Sequence, residues 1–162
     1  KAAPYKRYAY YLTPIGFAEK ARLVAEYLED SLDFFRKARE EYAGLFAQAQ
    51  ARGVRRVVMV GAGELAEIAF LASRQFNIEI LGILDQASNE DRFCGLSVRR
   101  ALEDFSDIDA VLITASRHPQ EAFDLVRDRF NDQQVLAPPL LRLVRTSLDS
   151  KPPKVAPKGA AR

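Results

Sequence analysis

The chain has 162 residues, enough for one ordinary domain or a small domain with an added helical segment, and too few for a two-domain dehydrogenase. Apolar residues make up 48% and charged residues 28%, which fits neither a disordered chain nor a membrane protein, and no apolar run approaches the roughly 18 residues needed to cross a bilayer. The charges nearly balance, 24 basic against 22 acidic; four bases stand in residues 151–162 without an acid, leaving 20 against 22 elsewhere and no overall nucleic-acid-binding signature.

In chain order, residues 6–12 are rich in β-formers between two prolines and predict a short strand. Thr13 followed by Pro14 predicts a helix start, since the hydroxyl caps and a proline in the first turn loses no needed hydrogen bond. From there to about Ala51 the chain holds no proline, so one long helix is expected, or two broken near Gly44. Its apolar residues Ala21, Leu28, Phe35, Tyr42 and Ala49 recur every seven, with Ala25, Leu32 and Phe46 interleaved, the seam of a helix pair; Arg39 interrupts the second row. Leu28, Leu32, Phe35 and Tyr42 are therefore expected to meet a second copy in a homodimer, the alternative being a helix packed only on its own chain.

After residue 53 the period changes. Residues 54–60 predict a strand, 64–75 a helix, 78–84 a second strand, 96–98 a short extended piece, 100–105 a brief helix, 109–115 a buried strand, 119–130 a helix and 134–136 a last strand. Strands alternating with helices at this spacing give an α/β fold, a Rossmann-like parallel sheet with helices on both faces. Residues 149–162, with three prolines and four cations, predict a disordered basic tail.

The sharpest motif is Gly61-Ala62-Gly63-Glu64-Leu65-Ala66, a G-x-G-x-x-A turn after a strand and before a helix. The first glycine permits the turn, the second admits a pyrophosphate to the backbone, and the small last residue lets helix and strand pack. Asp85 closes the next strand 24 residues after Gly61, where a carboxylate would accept ribose hydroxyls, and no arginine follows it, which favours NAD over NADP. Ala115 and Ser116, after the next buried strand, complete the expected cofactor-binding set. Glu64 complements the helix dipole but also stands where a phosphate would lie, so a degenerate site or another ligand stays open.

No catalytic constellation accompanies the turn. His118 is expected at a helix N-cap with Glu121 three residues on, and Ser116 has no histidine placed beside it. Cys94, next but one to Arg92, is expected as a small half-buried residue, the alternative being a thiol activated by that arginine. One cysteine and one histidine exclude an internal disulfide and make a Cys- or His-based metal centre improbable on composition; the single cysteine points to a reducing, cytoplasmic setting. The chain opens on Lys1 and its only methionine is Met59, which suggests the C-terminal part of a longer protein.

Two resemblances follow from these motifs. Residues 7–23, with Tyr10-Tyr11-Leu12-Thr13-Pro14-Ile15-Gly16, resemble the wing of a MarR-type winged-helix regulator, notably those associated with exopolysaccharide synthesis, where the strand returns into a dimerising helix. Residues 54–144 are similar to the nucleotide-binding domain of Rex-type NADH-sensing repressors. The matching segments are the glycine turn, Ile80-Leu81-Gly82-Ile83-Leu84-Asp85, Gly95-Leu96-Ser97-Val98 and Ala137-Pro138-Pro139-Leu140-Leu141. Domains opening sugar-nucleotide-modifying enzymes share much of the second pattern. These resemblances imply a bacterial transcription regulator fragment: 1–13 the end of a wing, with Lys6 and Arg7 on DNA phosphates; 14–52 a dimerising helix; 53–148 a domain sensing a nucleotide-type ligand, NAD(H) first; 149–162 the tail. No metal and no membrane partner are expected, on composition. The rivals are a nucleotide-dependent enzyme or enzyme subunit, and a dimerisation scaffold without ligand.

Overall fold

The computed structural model describes residues 13–145. The expected strand at 6–12, the phosphate contacts assigned to Lys6 and Arg7, and the tail at 149–162 lie outside the described residues.

Helix α1 (Pro14–Ala51) is a single element of 38 residues, about 57 Å at the usual rise per residue. Thr13 caps it, its Oγ1 accepting the Gly16 N–H at 3.1 Å, and proline stands in the first turn as expected. Gly44 does not interrupt it, because the turns around it are seated on the rest of the chain. The chain then runs through β1 (Arg56–Val60), α2 (Glu64–Ser73), β2 (Glu79–Leu84), β3 (Arg92–Phe93), β4 (Leu96–Arg99), a 3₁₀ turn at Leu102–Asp104, β5 (Ala110–Ile113), α3 (Pro119–Arg127), β6 (Val135–Leu136) and a second 3₁₀ turn at Pro139–Leu141.

The strands form one six-stranded sheet in the order β3-β4-β2-β1-β5-β6, with every pair parallel except β3–β4. That hairpin is an addition to the sequence reading, which assigns no element to Arg92–Phe93. Cys94 (φ 51°) and Gly95 (φ 79°) both adopt the left-handed conformation of a tight two-residue turn. A cysteine there carries none of the usual asparagine or aspartate signal. The brief helix expected at 100–105 is only a 3₁₀ turn.

Alternation along β1 divides the core. Val57 and Met59 face one side with Ala38, Tyr42, Phe46 and Ala49 of α1 and with Leu65, Ile68 and Ala69 of α2. Val58 and Val60 face the other with Phe123 and Val126 of α3. Helices therefore cover both faces of a mostly parallel sheet, a mixed α/β architecture. The last turns of α1 share this core, so the expected division at 52/53 falls inside one packed body.

Tyr42 corrects the expectation for the helix. It was assigned to the surface that meets a second copy, but it is fully buried, and its hydroxyl donates to the Ile113 carbonyl at 3.0 Å. Leu28 and Leu32, each 54% exposed, and Phe35, 38% exposed, remain outside the core. The direction of α1 explains the split. Gln50 accepts the Asn77 N–H just before β2 begins, whereas Tyr42 meets β5 at its last residue, so α1 runs antiparallel to the parallel strands. Its first 24 residues, 14–37, project about 36 Å past the C-terminal ends of those strands. Among the described residues no helix is long and apolar enough to cross a membrane.

Candidate functional site

The order of the sheet reverses at β1: the chain moves from β1 outward to β2 and β4, then returns to the other side of β1 for β5. Crevices at the C-terminal ends of strands flanking such a reversal are where open parallel sheets bind ligands, because the connecting loops part there. A cavity of about 600 Å³ lies at this position, within the usual span of small-molecule sites. Loops after β1, β2 and β5 line it.

The first wall is the glycine turn. Gly61 stands at φ 105°, and a Cβ there would lie 2.6 Å from the backbone N and Cα of Ala115, so only glycine fits. Gly63, at φ 154° and ψ −168°, occupies a backbone region nearly restricted to glycine and opens α2 with no side-chain cap. A Cβ on it would meet nothing nearer than the Ser116 Oγ at 4.0 Å. The Ala66 and Glu67 N–H groups return to the Gly63 carbonyl, whereas those of Gly63, Glu64 and Leu65 find no acceptor among the described residues. Three successive free donors at a helix start, reinforced by the helix dipole, are chemistry suited to an anion. Leu65, expected in the cofactor-binding set, does not line the cavity, its side chain being buried in the core.

The second wall is Asp85. Its Oδ1 accepts the Ala87 and Ser88 N–H groups at 2.9 and 3.0 Å, and its Oδ2 accepts the Ala62 N–H at 2.8 Å. The carboxylate expected to hold ribose hydroxyls therefore also pins the turn. With two acceptor positions per oxygen, only Oδ2 keeps one open for a ligand. The Ala62 N–H, correspondingly, is spent on Asp85 and is not offered to the cavity.

The third wall is the loop after β5. Ala115 backs Gly61 and lines the cavity with Ser116, joined by Arg117, His118, Glu121, Ala122 and Leu125. His118 is the N-cap residue of α3, yet its side chain does not cap; its Nδ1 stands 3.5 Å from the Glu121 carboxylate. Arg117 has no hydrogen-bond or ion-pair partner among the described residues. The sequence reading stopped at Ser116, although the rule that placed the first two residues, a loop leaving the C-terminal end of a buried strand, covers the next two equally.

The lining thus holds the carboxylates of Glu64, Asp85 and Glu121 against the Arg117 guanidinium and one imidazole. Anionic groups of a ligand are best placed near Arg117 and the free N–H groups, and hydroxyls near Asp85. Cys94 lies outside the cavity. Burial and the nearby Glu67 push its thiol up, while Arg92 donates to the Gly95 carbonyl at 2.7 Å, so arginine activation of this cysteine is not what the geometry supplies. No group of three or more metal-ligating side chains occurs among the described residues. Comparison of the chain with family models, with curated proteins and with solved structures gives no match to any of them.

Proposed function

We propose that the chain is the sensing part of a dimeric transcription regulator, whose Rossmann-like domain binds a nucleotide-type ligand, NAD(H) ahead of NADP(H). The observation that carries the ligand reading is the pair of free N–H groups at Gly63 and Glu64, on residues that line the cavity where the sheet order reverses. Arg117 supplies a cation for the same anion, and the open position on Asp85 Oδ2 suits a ribose hydroxyl. DNA binding rests on the wing-like motif at 7–23, and pairing on the exposed Leu28, Leu32 and Phe35 of the projecting helix.

Calorimetry with NADH tests the ligand reading. We expect binding by the full chain that Gly63→Val weakens at least tenfold, since a branched side chain blocks backbone approach. Absence of heat and of thermal shift with NAD(H), NADP(H) and nucleotide-sugars alike would remove it. The alternative, a nucleotide-dependent enzyme or subunit, draws on His118 and Glu121 lining the same cavity; a nucleotide-sugar that shifts melting where NADH does not would favour it.

A further inference from the structure

The end of β5 carries three hydrogen bonds that the ligand reading does not use. Ile113, the last residue of the strand, gives its carbonyl to the Tyr42 hydroxyl of α1. Thr114, the next residue and fully buried, bonds the Val60 carbonyl through its N–H and the Gly61 carbonyl through its hydroxyl, at 2.9 and 2.6 Å. Consecutive residues therefore face opposite ways, one held by the long helix and one holding the glycine turn. A second tie lies beside the first: Glu41 of α1 accepts the Leu140 N–H, in the segment that follows β6. At positions 41 and 42, α1 thus gathers the chain leaving the C-terminal ends of two neighbouring strands.

A buried carbonyl at the end of a central strand needs a donor, and water does not reach this one. The phenol hydroxyl is its donor, so α1 holds the carbonyl side of the Ile113–Thr114 peptide while Val60 holds its N–H side. The Thr114 hydroxyl in turn fixes the Gly61 peptide, one residue before the Ala62 N–H that Asp85 holds. From Tyr42 back to Pro14 the helix spans about 42 Å, so a tilt of roughly 5° at its seat moves its tip by about 4 Å.

We infer that Tyr42 and Thr114 are positioning residues of the cavity, tying the glycine turn to α1 so that occupancy of the cavity and the seating of the long helix are one equilibrium. The inference rests on the reading of the cavity as a ligand site. What it adds is the output of that site: the projecting half of α1.

Residue-resolved amide hydrogen exchange on the full chain tests it, first without ligand. Thr114→Val keeps the side-chain shape and removes the hydroxyl; we expect exchange over residues 38–46 to speed up about fivefold, the usual worth of one net hydrogen bond, and more than over α2 and β2. Reciprocally, Tyr42→Phe should speed exchange at Gly61 and Ala62, whose N–H groups are bonded to Leu84 and Asp85. Val58→Ala, on the opposite face of the sheet, serves as the reference for loss of stability alone and should raise exchange without favouring these segments. If both variants give the uniform pattern of Val58→Ala, or no change, the linkage is overturned. With 1 mM NADH, wild type should slow exchange over 38–46 and Thr114→Val should lose that slowing. NADH that protects residues 61–65 but leaves 38–46 unchanged also overturns the linkage. NADH that protects neither overturns the assignment of NAD(H) to the cavity, and the ligand-free comparison then decides the linkage alone.

Discussion

Residues 38–51 and residues 14–37 of α1 carry one apolar periodicity and meet opposite surroundings. In the first stretch Ala38, Tyr42, Phe46 and Ala49 are buried against α2 and the sheet; in the second Leu28, Leu32 and Phe35 continue the stripe past the strand ends into solvent. The difference teaches that a helical stripe specifies which face is sticky and leaves open what covers it. Residue identity adds a little: the buried stretch uses two alanines and two aromatics, allowing a close approach to α2, with a hydroxyl placed to meet a carbonyl. The open stretch is flanked by charges, including Arg22 paired with Glu19 and Glu26, pairs that are exposed and worth little to stability.

The largest expected effect separates the two stretches directly. Phe46→Ala removes a fully buried ring that also stacks near Phe76, with ring centroids 5.9 Å apart, and should cost about 3 to 5 kcal/mol in urea unfolding. Leu28→Ala, made at a concentration where the chain is monomeric, should change stability by less than about 0.5 kcal/mol. Equal costs would mean that the projecting stretch has a partner within its own chain.

The projecting stretch has its own test. Nine large apolar side chains from Ile15 to Phe35 leave on the order of 1,000 Å² exposed, comparable with the roughly 800 Å² each partner buries in a stable interface. Each one covered is worth about 1.5 to 3 kcal/mol. Leu28→Asp combined with Phe35→Asp should convert a dimer to a monomer in sedimentation while leaving helicity intact. An unchanged mass would dissociate these residues from assembly.

Tyr42 gives a smaller effect with a definite pH signature. Burial, with Glu41 adding, pushes its phenol far above the ordinary range. Its folded value exceeds its unfolded one, so the neutral phenol favours folding fully below about pH 10, and that contribution is lost as pH rises above it. Tyr42→Phe should cost about 1 kcal/mol at neutral pH, the net worth of its hydrogen bond, and should flatten the alkaline fall in melting temperature. An unaltered alkaline limb would place the titration elsewhere. Smallest of all, the Cys94 thiol should alkylate more slowly than a free thiol at pH 8, since its raised value leaves less thiolate. A faster reaction would restore the alternative in which Arg92 activates it.

Much of the fold was legible because its signals are local. Thr13-Pro14 announces α1, β-branched runs announce β1 and β5, and the shift from helical to strand periods marks the α/β part. The glycine turn was legible for the same reason, its spacing and context being contained in a few residues. What was hidden depends on contacts distant in sequence. Tyr42 meets Ile113 across 71 positions, so the seam that looked intermolecular could not be divided by spacing alone. Asp85 was placed correctly at a strand end, but its three backbone partners depend on how two loops fold beside it. Arg117 and His118 follow Ser116 in a loop the same rule covers, whereas Glu121, a turn further on in α3, enters the cavity because β5 lies next to β1, an order that the succession of elements in sequence does not state.

Amide chemical-shift mapping of the full chain titrated with NADH addresses the ligand site most directly, since it reports where a ligand lands as well as whether it binds. We expect saturable shifts centred on residues 61–64, 85–87, 115–118 and 121–122, the three walls of the cavity, with smaller changes over 38–46. Shifts confined to the projecting stretch at 14–37, or no shifts at millimolar NADH while another phosphorylated metabolite perturbs the three walls, would contradict the assignment of NAD(H) to this cavity.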